Sequence, residues 1–186
     1  MIATNSSDQT QHAHQPSAEI EVALSTEWDE AQSSIFWMPD EAFCVRCLQT
    51  GLALLHQDAP YAISIHLCSA AESANLNRLY RGKDKATNVL SFPAKHQETE
   101  EALWQPPHHA EQQELLGDLV LCPEVVNREA EEQGKTLADH WTHMLLHGLF
   151  HLLGHDHIEP SDAEEMEALE IDALQKLGIN NPYLID

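Results

Sequence analysis

The chain has 186 residues and a mass of 20.9 kDa, which suits one domain and excludes two of ordinary size. With 42% apolar and 22% charged residues, it can bury a core and is not disordered over its bulk. A net charge of −22 excludes a general coat for nucleic acid, and no DNA partner is expected.

Residues 1–18 are polar and aperiodic, and ordering them would cost more entropy than burial returns, so we expect a disordered tail ahead of a single domain at 19–186. They lack the basic and apolar blocks of a leader, and no stretch reaches the roughly 18 apolar residues that span a bilayer. The expected location is cytoplasmic, with no membrane partner. Alternation from Glu19 to Leu24 suggests a strand, and Asp40 is placed to cap a helix reaching Gln57. Tyr61, Ile63, Ile65 and Leu67 alternate with smaller or polar residues, indicating a strand with one buried face. A short helix over 69–80 and a strand over 87–92 lead into a long polar loop, 94–113. The apolar run 115–122 reads as a buried strand, and Pro123 suits the first turn of the helix after it. A further helix runs from about Thr136 to Leu153 and is closed by Gly154. The last opens at Ser161, whose spacing to Glu164 matches a capping box, and ends at Gly178; its acidic residues read as a solvated face. The sum is an α+β (mixed α/β) domain, with four strands and about five helices. Cys44, Cys47, Cys68 and Cys122 sit in apolar surroundings and read as reduced core residues.

Six of the 13 histidines lie between His140 and His157. On a helix, His147 and His151 stand about 40° apart around the axis and one turn apart along it, as two ligands of one metal must. Were the helix to continue, His157 would lie about 15 Å beyond His147 and point elsewhere. Gly154 supplies the turn that brings it back, because glycine reaches the left-handed conformation that ends helices. Three neutral imidazoles suit Zn²⁺ and leave a fourth position for water, the pattern of a hydrolytic site. His155 competes with His157 as third ligand, since spacing does not separate them. His140 and His143 read as residues flanking the ligands. The spacing also reproduces the zinc peptidase motif H-E-x-x-H-x-x-G-x-x-H, but Gly148 stands where a peptidase needs its catalytic glutamate.

The run His147-Gly148, His151-Leu152, Gly154 and Asp156-His157 resembles the hallmark H-G-x-x-H-L-x-G-x-D-H of the YbeY endoribonucleases, or ribosomal RNA maturation factors. The resemblance extends to LNRLYRGKDKATNVLSFP at 76–93, LGDLV at 116–120 and the acidic last helix, spanning roughly 19–186. The family usually has Leu where Phe150 stands and often Tyr where His155 stands. The resemblance implies a small mixed sheet packed with helices around a central metal-bearing helix, similar to zinc metalloproteases. It also implies a zinc-dependent endoribonuclease acting on single-stranded RNA, with one Zn²⁺ on His147, His151 and His157 and a functional arginine at Arg81. Family members are associated with 3′-end maturation of small-subunit 16S ribosomal RNA and with ribosome quality control, so precursor rRNA and ribosomal small-subunit proteins are the implied partners.

The charge distribution agrees. Of nine basic residues, Arg78, Arg81, Lys83, Lys85 and Lys95 fall within 78–95, so cations are concentrated where RNA would be held. The guanidinium of Arg81 can offer a planar fork to phosphate. Asp156 is placed either to orient a ligand imidazole or to act as base, and attack by water or by the RNA 2′-hydroxyl both remain open. Two rival readings stand beside the nuclease: a zinc peptidase or other amide hydrolase, and a non-catalytic ribosome-assembly factor whose structural metal takes a fourth protein ligand.

Overall fold

The computed structural model describes residues 19–26, 35–57, 59–94 and 113–184. The expected tail at 1–18 and nearly all of the expected loop at 94–113, including Lys95, lie outside them.

Strand β1 (Ile20–Thr26) leads to helix α1 (Glu41–Leu54), whose first turn is capped by Asp40, its Oδ1 accepting from the Phe43 amide at 2.7 Å. Next come β2 (Tyr61–Leu67) and α2 (Ala70–Arg81), the latter capped by Ser69 and ended by Gly82 in the left-handed region. β3 (Val89–Pro93), β4 (Glu114–Leu121), α3 (Pro123–Glu132), α4 (Leu137–Leu152) and α5 (Pro160–Lys176) complete the described elements. The sheet has the order β1-β2-β4-β3, with β1, β2 and β4 parallel and β3 antiparallel to β4. Four strands in a mixed sheet with five helices is the architecture expected from the sequence.

Burial explains why α4 is central. Eleven of its residues are buried, and it packs against α1, α3, α5, β3 and β4. Trp141, Leu145 and Leu149 join Leu48 and Leu52 of α1 over Ile63, Ile65, Leu119 and Leu121 of the sheet; each such side chain contributes about 1.5–3 kcal/mol when fully buried. On its other flank, Leu146 and Phe150 meet Met166, Ala173 and Leu174 of α5. A helix gripped on so many sides holds its C-terminal residues rigidly.

All four cysteines are buried, and none forms a disulfide among the described residues. Burial, followed by the neighbouring Cys47, pushes the Cys44 thiol up to about 12, so it stays protonated within the core. The start of the last helix differs from expectation. α5 begins at Pro160, with Glu159 at the cap position and no side-chain cap, and the Ser161 hydroxyl donates instead to Asp162 Oδ1 at 3.1 Å. Proline, with its fixed φ and missing N–H, supplies the helix start that the capping box was expected to give.

Candidate metal centre

The helix that carries His147 and His151 is built from both ends. Thr136 caps α4 by accepting from the Asp139 amide at 3.1 Å. After Leu152 the chain turns back through Gly154 at φ +93°, with the His155 amide bonded to the Phe150 carbonyl at 2.9 Å. That reversal returns His157 to the end of the helix. Its ring centroid lies 5.5 Å from that of His147 and 4.9 Å from that of His151, which are themselves 4.6 Å apart. One ring nitrogen from each of the three lies within 4.8 Å of the others, a group that could hold a metal ion.

Hydrogen bonds on the far side of two rings fix their tautomers. His147 Nδ1 is 2.8 Å from Glu170 Oε1, and His151 Nδ1 is 2.9 Å from the His155 carbonyl. Carboxylate and carbonyl only accept, so both Nδ1 atoms carry the proton and both Nε2 atoms present lone pairs. Those two nitrogens are 3.2 Å apart. Two nitrogens at about 2.0–2.1 Å from a tetrahedral ion would stand about 3.3 Å apart. The donor set therefore fits a small divalent cation, which would relieve the repulsion between the facing lone pairs. Burial, then the neighbouring His147 and His157, lowers His151 to about 4, leaving its imidazole neutral and ready to ligate near pH 7.

Glu170 is the residue the sequence reading missed. Its helix was expected to present a solvated acidic face, yet this carboxylate is 1% exposed. Oε1 accepts from His147 Nδ1, while Oε2 accepts from His143 Nε2 at 2.5 Å and from the Tyr183 hydroxyl. Burial disfavours its charge, but the hydrogen bonds from His143 and His147 outweigh that and hold it at about 2. A signal did exist: Glu170 shares a helical stripe with Met166, Ala173 and Leu174, all buried.

The other histidines take distinct places. His143 reaches His147 through Glu170, and His140 Nε2 is 3.1 Å from Glu129 Oε2. His155 stands outside the triad, its ring edge-on to Phe150 at 6.1 Å and its Nδ1 3.7 Å from Glu165. Asp156 Oδ1 accepts from the His157 amide at 2.7 Å and lies 3.8 Å from His157 Nδ1, which braces the turn beside that histidine.

These shifts set a pH dependence for the metal-free protein. The unfolded chain binds protons near the ordinary values, 6.5 for histidine and 4.5 for glutamate, whereas folded His151 and Glu170 bind them only near about 4 and about 2. Both contributions are complete above the unfolded values; that of His151 is lost between 6.5 and about 4, that of Glu170 between 4.5 and about 2. Urea midpoints of chelator-treated protein are expected to fall from about pH 7 to 5 and again to 3. A flat profile would contradict these assignments.

The three histidines open onto a cleft of about 700 Å³ whose lining includes Arg81, Lys83 and Lys85. Buried polar groups of α2 shape the basic loop. Asn77 Nδ2 donates to the Lys85 carbonyl at 2.7 Å, and the Ser73 hydroxyl donates to the Thr87 carbonyl at 2.9 Å while accepting from its amide at 3.0 Å. Arg78 is not among the cleft-lining residues; its guanidinium donates to Asn75 Oδ1 at 2.8 Å on the exposed face of α2. Among the described residues, no helix is long and apolar enough to cross a membrane.

The chain is thus an α+β domain whose three-histidine site could hold a metal ion and shares one cleft with Arg81, Lys83 and Lys85. The sequence profile of endoribonuclease YbeY matches residues 29–178, and the chain belongs to that endoribonuclease family. The fold is similar to the solution structure of TM1509 from Thermotoga maritima, at 21% identity over 84% of this chain and 89% of that one, with a TM-score of 0.50.

Proposed function

We propose that this protein is a zinc-dependent, single-strand-specific endoribonuclease that processes ribosomal RNA in the cytoplasm, at the 3′ end of small-subunit 16S rRNA, and serves ribosome quality control. The observation that carries this reading is the meeting of the three imidazoles with Arg81, Lys83 and Lys85 in one cleft of a YbeY-family chain. A Zn²⁺ held by His147, His151 and His157 would supply Lewis acidity toward a phosphoryl oxygen and lower the pKa of a nearby water. Around it, the guanidinium of Arg81 grips a non-bridging phosphate oxygen and stabilises charge developing on the phosphorus. Lys83 and Lys85 hold the flanking backbone, with Arg78 attracting RNA from outside the cleft. Asp156 keeps His157 in place and is the nearest carboxylate base on that turn. The domain over 19–186 acts as one unit, and its acidic exterior suits basic small-subunit proteins better than free nucleic acid.

The rivals fare worse on specific observations. Gly148 offers no base for amide hydrolysis, and His155, the candidate fourth ligand of a closed structural site, lies outside the triad. The test is cleavage of an end-labelled single-stranded RNA by nuclease-free protein, with bound metal quantified alongside. Arg81→Ala is expected to keep the wild-type metal content and to cleave about 100-fold more slowly, the cost typical of losing one charge-stabilising donor. Equal rates for wild type, Arg81→Ala and His147→Ala would mean that a contaminant does the cutting.

A further inference from the structure

The C-terminal segment after α5 reaches the metal centre. Its path is fixed at two points: Lys135 Nζ donates to the Pro182 carbonyl at 3.3 Å, and Asn181 Oδ1 accepts from the Tyr183 amide at 2.9 Å. This sets the Tyr183 ring edge-on to His143, with centroids 5.6 Å apart, and its hydroxyl on Glu170 Oε2. The same oxygen accepts from His143 Nε2 at 2.5 Å, while Oε1 accepts from His147 Nδ1 at 2.8 Å. A carboxylate 1% exposed is thus held by three donors, two imidazoles and a phenol. Burying an anion this way is costly unless a positive charge stands close by. That charge would lie one imidazole away, on the ion His147 is placed to bind.

We infer that Tyr183 is a positioning residue for the metal centre, acting through Glu170 to hold the His147 ring in its ligating orientation. The inference rests on the metal-site reading above and adds the chain's end to it. Without the phenol, Glu170 Oε2 keeps one donor, and the carboxylate gains freedom to turn away from His147.

The experiment measures release of Zn²⁺ from loaded protein to a chromogenic chelator, together with the visible absorption of the Co²⁺-substituted protein, for wild type, Tyr183→Phe, Glu170→Gln and the double variant. Melting of the metal-free proteins reports the fold. Glu170→Gln is expected to speed release by about 10–100-fold and Tyr183→Phe by on the order of threefold to tenfold, both altering the Co²⁺ bands. The double variant should release Zn²⁺ no faster than Glu170→Gln, because the phenol acts through that carboxylate. Wild-type release and an unchanged Co²⁺ spectrum for Tyr183→Phe would overturn the inference, as would a double variant faster than Glu170→Gln alone. If Tyr183→Phe lowers the metal-free melting temperature, the double variant still decides, since a merely structural loss would add to the Glu170 effect. No RNA enters these measurements. Protein that retains Zn²⁺ as expected but leaves RNA intact would sink the nuclease reading and keep this one; an active protein indifferent to Tyr183→Phe would do the reverse.

Discussion

Alanine at His147, His151 or His157 is expected to remove stoichiometric metal and to slow RNA cleavage by at least about 100-fold, because metal assistance is worth several kcal/mol to a phosphoryl transition state. Alanine at His155 is expected to leave the metal in place. The contrast follows from geometry: the first three bring one nitrogen each within 4.8 Å of the others, whereas the His155 ring packs against Phe150 and faces Glu165. What His155 gives the centre is its backbone carbonyl, the acceptor for His151 Nδ1 at 2.9 Å, and an alanine keeps that carbonyl. Inductively coupled plasma measurement of metal per chain, beside single-turnover cleavage of a defined RNA, separates these cases. Loss of metal on His155→Ala would mean that the ring itself ligates and that the site is closed by protein.

Much of this centre could be read in advance because it is local. Two histidines one turn apart, a glycine that ends their helix and a third histidine just beyond it are separated by few residues, and helix geometry alone says where each must go. The β2 strand was equally legible, its alternation of Tyr61, Ile63, Ile65 and Leu67 matching the buried face. What escaped was non-local. Glu170 approaches His147 across 23 positions of sequence and Tyr183 approaches His143 across 40, and nothing in an acidic helix distinguishes one carboxylate from its neighbours until the apolar stripe beneath it is drawn. The Ser161 box misled for the opposite reason: the local motif was present, but Pro160 had already fixed the first turn. Arg78 shows the limit of charge clustering, since Arg81 at the end of α2 lines the cleft while Arg78, nearly one turn earlier, donates to Asn75 and does not.

Gly148 carries the second large prediction, because the position that separates this site from a peptidase is also closed to side chains. A Cβ there would stand 2.8 Å from Leu119 Cδ2, 3.3 Å from Leu119 Cδ1 and 3.4 Å from Val89 Cγ2. The Gly148 carbonyl also accepts from the buried Ser91 hydroxyl at 3.2 Å, tying α4 to β3 at the same point. For Gly148→Ala, overpacking costs about 1–3 kcal/mol and the better helix propensity returns about 1 kcal/mol, so a net loss of about 1 kcal/mol is expected. Gly148→Glu would force a carboxylate among fully buried leucine atoms without a partner, and is expected to cost at least about 3 kcal/mol. In a domain of this size that lowers the melting temperature by about 6–12 °C. The motif would then read H-E-x-x-H, yet the variant should hydrolyse no peptide, since its new carboxylate could be accommodated only by displacing the sheet that supports the ligands. Calorimetry and a fluorogenic peptide assay on the same preparation check both halves. A Gly148→Glu protein as stable as wild type would show that the contact with Leu119 relaxes freely, and steric closure of the peptidase route would have to be abandoned.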